Sequence, residues 1–245
     1  MSQQQVSIQA KDGVCKAWVL TPDGKDPRPG VVFYMDAFGI RPAMIEMAEH
    51  LAGMGYVAFL PEMYYRNGPY EPFQIDTVFT DPGERARLGA LAGGLTKAMA
   101  ASDTGAFLEF FSKRPVVAGT KVGSTGYCMG GALSLTAAAH HPDRIAAAAS
   151  FHGGRLAVGG DPSSPHLAAD RITATVYVAG ATDDGSFTPE QAELLESALT
   201  EAGVNHTLEI YPGRHGFAVP DNPTYDAEAD ARHWEVLHEL YEAQL

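Results

Sequence analysis

Cys128, His215 and an aspartate at 183 are the residues whose types and spacing fit nucleophilic chemistry. Cys128 lies in Gly126-Tyr-Cys-Met-Gly-Gly131. Lys121-Val-Gly-Ser-Thr125 before it is short and β-leaning, and Ala132 to His140 after it is rich in helix formers. Strand, sharp turn and helix make a nucleophile elbow, with cysteine where serine is commoner. Glycines two before and two after the nucleophile are expected, because a side chain there would strike the neighbouring strand or helix. The free N–H groups and dipole of the following helix favour negative charge at the sulfur. The plainer reading of this motif alone is a buried structural cysteine in a glycine-rich turn; its downstream partners favour the chemical reading.

Those partners follow later strands. The apolar run Ala174–Ala179 leads into Gly180-Ala-Thr-Asp183-Asp184, and His206–Tyr211 leads into Pro212-Gly-Arg-His215-Gly. In an open parallel sheet the loops after the strands gather at one edge, where ligands bind. Cys128 would attack as thiolate, His215 would take the proton and later activate water, and Asp183 would hold the imidazole tautomer. Asp184 competes with Asp183, and Asp183 is favoured because it lies nearer the strand end. An oxyanion needs two N–H donors: Met129 after the nucleophile, and Ala37 in the loop Asp36-Ala-Phe-Gly39. The histidines show no His-x-His or His-Glu-x-x-His spacing and the cysteines no Cys-x-x-Cys, so neither metal nor cofactor is expected. Cys15, inside a strand-like run, reads as a small apolar residue.

The elements that must position these groups alternate. Val6–Leu20 reads as a hairpin turning near Asp12-Gly13, and Val31–Met35 as a strand buried on both faces. Arg41-Pro42 opens a helix to about Met54, and Tyr56–Leu60 is the next strand, a parallel crossover unit. Residues 63–94, with Tyr64, Tyr65, Tyr70 and Phe73, are too long and aromatic for a plain connection and read as a lid or pocket wall, or as a surface loop with satellite packing. Thr96–Ser112 reads as a helix, 155–170 as loop, and Thr188-Pro-Glu-Gln191 as a capping box. A last helix would bury Ala227, Ala231, Trp234, Leu237 and Tyr241. The reading is α/β: one domain over 1–245, a mostly parallel central sheet with helices on both faces.

Composition excludes several classes. A net charge of −13 argues against nucleic acid and anionic membrane as partners. No leader and no membrane-length apolar run is read, and two distant cysteines do not make a disulfide framework, so a reducing cytoplasm is the expected setting. The expected state is a monomer or homodimer acting on a small molecule.

The chain resembles the dienelactone hydrolase family of α/β-hydrolases. The resemblance is carried by Asp36-Ala-Phe-Gly39, Leu60-Pro-Glu-Met-Tyr-Tyr-Arg66, Gly126-Tyr-Cys-Met-Gly-Gly131, Gly180-Ala-Thr-Asp183 and Gly213-Arg-His-Gly-Phe217. It implies an α/β-hydrolase fold, a Cys128–His215–Asp183 triad and cofactor-free hydrolysis of small lactones or esters. Where the family's type enzyme has a glutamate that modulates the resting thiol, this chain has Asp36. Where that enzyme has a substrate-clamping arginine four residues after the histidine, this chain has Val219. The second clamp falls in the inserted segment, where Arg85 or Arg87 would serve. Val219, Phe38, Tyr64 and Tyr65 then suggest a less charged, more apolar substrate. Two rivals stand beside this reading: a broader hydrolase of thioesters or activated phosphotriesters, and a non-catalytic binding protein on the same scaffold.

Overall fold

The computed structural model describes residues 1–245. Its eight strands form one sheet in the order β1-β2-β4-β3-β5-β6-β7-β8. The hairpin of β1 (Ser2–Ala10) and β2 (Gly13–Thr21) is antiparallel, and β2 also runs antiparallel to β4 (Val57–Pro61). From β4 onward every pairing is parallel, through β3 (Gly30–Tyr34), β5 (Val122–Tyr127), β6 (Ile145–Phe151), β7 (Thr175–Asp183) and β8 (His206–Arg214).

Patterning explains the placement. Edge strand β1 alternates buried and exposed residues over its second half, as a one-sided strand must. Strands β3, β4 and β5 are buried at every position, matching their continuous runs of apolar and small residues. Helices cover the sheet in two groups. α1 (Pro42–Gly53) meets α6 (Ala227–Gln244), with His50 stacked on Trp234 at 4.1 Å. α3 (Lys97–Ser112) packs beside α4 (Met129–His140), and α5 (Pro189–Glu201) follows β7. No helix is long and apolar enough to cross a membrane.

Three local expectations need correction. Within 63–94, α2 (Pro82–Gly94) is a full helix: Asp81 caps it by accepting from the N–H groups of Gly83 and Glu84, with Pro82 at its first position. Its four glycines hid it. Residues 165–171, read as loop, form a 3₁₀ segment. In α6 the buried face is Ala229, His233, Val236, Leu237 and Tyr241, while Ala227 and Ala231 are exposed. The polar His233 was the obstacle: its ring is buried because it bonds both the Tyr127 hydroxyl at 2.7 Å and Asp230 at 3.1 Å.

Candidate active site

β5 ends at Tyr127 and α4 begins at Met129, which leaves Cys128 alone in the turn. Its backbone sits at φ 54°, ψ −116°. A conformation of this kind costs a non-glycine residue roughly 1–3 kcal/mol and persists only where its surroundings impose it. Here they do. The Cys128 N–H donates to the Phe151 carbonyl and to Nδ1 of His152, both at 3.2 Å. Its carbonyl accepts from the N–H groups of Gly131 at 3.1 Å and Gly154 at 3.3 Å. The flanking glycines are obligatory. A Cβ on Gly126 would lie 1.9 Å from the Gly130 oxygen, and one on Gly130 would lie 2.4 Å from the Tyr34 oxygen.

His215 follows β8, and its ring faces Asp184. Nδ1 lies 2.7 Å from Asp184 Oδ2 and 3.0 Å from Ser186 Oγ. The other carboxylate oxygen of Asp184 accepts from the Ser186 N–H at 2.8 Å and its hydroxyl at 2.6 Å. Burial would hold the His215 imidazole neutral, but the charge of Cys128 and the hydrogen bond to Asp184 prevail and push its pKa up to about 10. Burial likewise works to raise the Asp184 pKa, and the bonds to His215 and Ser186 overcome it, leaving a net lowering. Cys128 and His215 thus line one cavity, with Asp184 rather than Asp183 at the imidazole.

The exchange of aspartates has a simple cause. β7 runs to Asp183, four residues beyond the apolar run, and Asp183 still pairs with Arg214 across a register shift. Successive residues of a strand face opposite sides. Asp183 is exposed and supplies only its carbonyl, which accepts from the His215 N–H at 3.4 Å. Asp184, the first residue past the strand, turns its carboxylate inward.

Two cavities meet at this pair. An outer lobe of about 580 Å³ runs from Cys128 and His215 along α4 toward the start of α3. An inner lobe of about 350 Å³ is bounded by Ala37, Phe38, Ile75, Phe79 and Asn222. Residues 63–94 supply walls to both, through Ile75 and Phe79 inside and Ala92 and Gly93 outside. Nowhere do three or more histidine, cysteine, aspartate or glutamate side chains converge to hold a metal ion.

Residues 15–245 match the dienelactone hydrolase family. The chain belongs to that family. A carboxymethylenebutenolidase of Cupriavidus pinatubonensis is 30% identical over 236 residues, 95% of this chain and 95% of its own. A crystal structure from Klebsiella pneumoniae superposes with a TM-score of 0.84 at 23% identity, covering 98% of both chains, and establishes the α/β-hydrolase fold. A dienelactone-hydrolase-like promiscuous phosphotriesterase from metagenomic libraries is 26% identical with a TM-score of 0.77, covering 100% of this chain and 99% of its own. The protein is therefore a member of a family of hydrolases.

Against the family pattern, the sequence-derived substrate contacts are largely redistributed. Phe38 lines the inner lobe as expected. Val219 is fully buried and reaches neither lobe. Tyr64, expected at the substrate, is also buried: its hydroxyl donates to the Ala37 carbonyl at 2.9 Å and touches Met129 Sδ at 3.4 Å, and it lines neither lobe. Tyr65 turns away to Asp103, donating at 2.8 Å, beneath Arg66. Arg87 lies over the Phe73 ring and pairs with Glu84 at 2.7 Å, while Arg85 is exposed beside Phe79 in a shallow depression of its own. Neither arginine lines the cavities at Cys128.

Asp36 does border the inner lobe, but its carboxylate is committed elsewhere. Arg41 grips both oxygens at 2.8 Å, and the Phe38 N–H donates to one of them at 2.9 Å. Burial pushes the Asp36 carboxyl up from its ordinary range while Arg41 pulls the other way. Arg41 also donates twice to Asp221, at 2.7 and 2.8 Å. A carboxylate held by a bidentate arginine shapes the loop and is not free to meet the thiol.

His152 was passed over in the sequence. Its signal is its position directly after β6, the same position relative to a strand that marked the other site residues. Its ring is buried and sits 5.2 Å from that of His215. Accepting from Cys128 at Nδ1 requires a neutral ring with the proton on Nε2. Burial, reinforced by the charge of His215, keeps it neutral by holding its pKa well below the usual value.

Proposed function

We propose that this protein hydrolyses small carboxylic esters or lactones through a Cys128–His215–Asp184 triad and an acyl-cysteine intermediate. The observation that carries the reading is the His215 imidazole, bonded to Asp184 at 2.7 Å and lining the same two cavities as Cys128 in its strained elbow. The Cys128 sulfur, as thiolate, attacks the carbonyl carbon, and the C=O electron pair moves to oxygen. The N–H groups of Met129 and Ala37 stabilise that oxyanion, Met129 being the first residue of α4, where a helix leaves its N–H groups free. Collapse of the tetrahedral species breaks the ester C–O bond, and the imidazolium of His215 gives its proton to the departing oxygen. Neutral His215 then takes a proton from water, hydroxide adds to the thioester, and the carboxylic acid leaves as the thiolate is restored. Tyr64, bonded to Ala37 and touching Met129, ties the two oxyanion donors into one unit.

Mass spectrometry of the enzyme quenched during turnover of an aryl ester tests this. The acyl group is expected on the peptide carrying Cys128, and Cys128→Ala should show neither adduct nor turnover. Near-wild-type esterase activity in Cys128→Ala would overturn the proposal. The metagenomic neighbour favours a second reading, in which a soft thiolate beside an oxyanion hole also attacks activated phosphotriesters. Stoichiometric release of the aryl alcohol from a phosphotriester in a burst would support it.

A further inference from the structure

We infer that the outer lobe is a binding site for an anionic group at the far end of the substrate, held by Lys97 and Arg155. This deepens the proposed ester hydrolysis and rests on it. Lys97 opens α3, and Arg155 follows β6, 58 positions later in the chain; the fold brings both to the wall of the cavity that holds Cys128 and His215.

The charge balance there is unusual for so acidic a protein. Asp161 is the only carboxylate on the wall of the outer lobe. One of its oxygens is occupied by the Ser163 N–H at 2.9 Å and the Ser163 hydroxyl at 2.7 Å. Its other oxygen faces both cations, Lys97 at 3.7 Å and Arg155 at 3.4 Å. Both distances are long for charge-assisted hydrogen bonds, which run near 2.8 Å. Two cations therefore share one distant carboxylate oxygen, and the cluster carries a surplus positive charge inside a chain of net charge −13. Lys97 is only 17% exposed, so water compensates it poorly. The Arg155 backbone is fixed at φ 57°, its N–H donating to the Ser186 carbonyl at 2.9 Å beside the Asp184–His215 pair, while its side chain is 67% exposed at the cavity wall.

Part of the same wall is apolar. Ala132 and Leu133 lie one turn along α4 from Cys128, a rise of about 6 Å, and Leu95 faces the same cavity. The matching ligand has a reactive ester at one end, a short aliphatic spacer, and a carboxylate at the other. Half-esters of straight-chain dicarboxylic acids have this form. The anion then sits at the α3 side of the site, not at the buried position of Val219.

The test compares the monoaryl ester of adipic acid with its neutral isostere, in which an isopropyl group replaces the terminal carboxylate. Wild-type enzyme should favour the anionic ester in kcat/KM by about tenfold or more at low salt, the effect of one charge-assisted contact. The preference should shrink in molar salt. Lys97→Gln and Arg155→Gln should each lower the ratio, and Lys97→Glu should bring it below one, with melting temperatures confirming the fold. A wild-type preference for the neutral ester, or a ratio unmoved in the Lys97→Gln/Arg155→Gln double variant, would overturn the inference. Failure of the underlying hydrolysis looks different: neither ester would acylate Cys128.

Discussion

Asp184→Asn set against Asp183→Asn separates the proposed triad from the one expected in the sequence. The hydrogen bond from His215 to Asp184 is short, partly buried and charge-assisted, and such bonds contribute about 1.5–3 kcal/mol, or roughly 10- to 100-fold in rate. A second effect adds to this. The Oδ1 position of residue 184 receives two donors from Ser186, so an asparagine would place its oxygen there. Its NH₂ group would then face Nδ1 of His215 and force the proton onto Nε2. An imidazole in that tautomer cannot accept the thiol proton, and the same inversion in a serine protease costs about 10⁴ in kcat. Asp184→Asn should therefore lose at least about 100-fold in kcat on an aryl ester, approaching that limit. Asp183→Asn should stay within about threefold, since its exposed side chain makes no contact with the ring. The assay is steady-state hydrolysis, with a thermal melt of each variant. By NMR, the His215 titration should move down in Asp184→Asn relative to wild type, since the bond to Asp184 is one of the interactions that raise it. Equal losses in the two variants, or a third of wild-type activity in Asp184→Asn, would refute the reasoning.

Iodoacetamide at neutral pH should label Cys128 and spare Cys15, which is fully buried and whose thiol is pushed up to about 12 by burial; peptide mapping reads the outcome. Arg41→Gln should destabilise the fold by about 3–5 kcal/mol in urea unfolding, because it leaves the Asp36 carboxylate buried without its partner. The stability gap between wild type and Asp184→Asn should narrow in acid. The folded-state pKa of Asp184 lies below the ordinary 3.8, so its contribution is present above that pH and is lost as pH falls through the folded value. A gap that holds constant from pH 6 to pH 3 would contradict this.

What the sequence revealed and what it hid follow from the range of the forces involved. The elbow was legible because its constraints are local: Gly126 and Gly130 are dictated by atoms only a few ångströms away. His215 was legible because strand-end loops converge in a parallel sheet. Asp184 was offered only as the competitor, because the strand runs on through Asp183, which stays in the ladder with its side chain exposed while the next residue turns inward. The commitment of Asp36 to Arg41 was hidden although only five residues separate them, since it depends on the loop folding back toward Asp221. The meeting of Lys97 with Arg155 is further out of reach, as it depends on how α3 lies against the loop after β6. Arg87 misled for the opposite reason: a cation expected to await a substrate already lies over an aromatic ring.

The Arg41 guanidinium joins two loops that approach the inner lobe from opposite ends of the chain, one after β3 and the other beyond His215. That lobe is thus a vault with one keystone. Its Ala37–Phe38 and Asn222–Thr224 sides cannot spread independently, so a bulkier guest must be accommodated elsewhere. The wall built by Ile75 and Phe79 lies outside this bracing. It is there, rather than around Ala37 and Met129, the proposed oxyanion donors, that substitutions can enlarge the chamber while Cys128 and His215 stay in place.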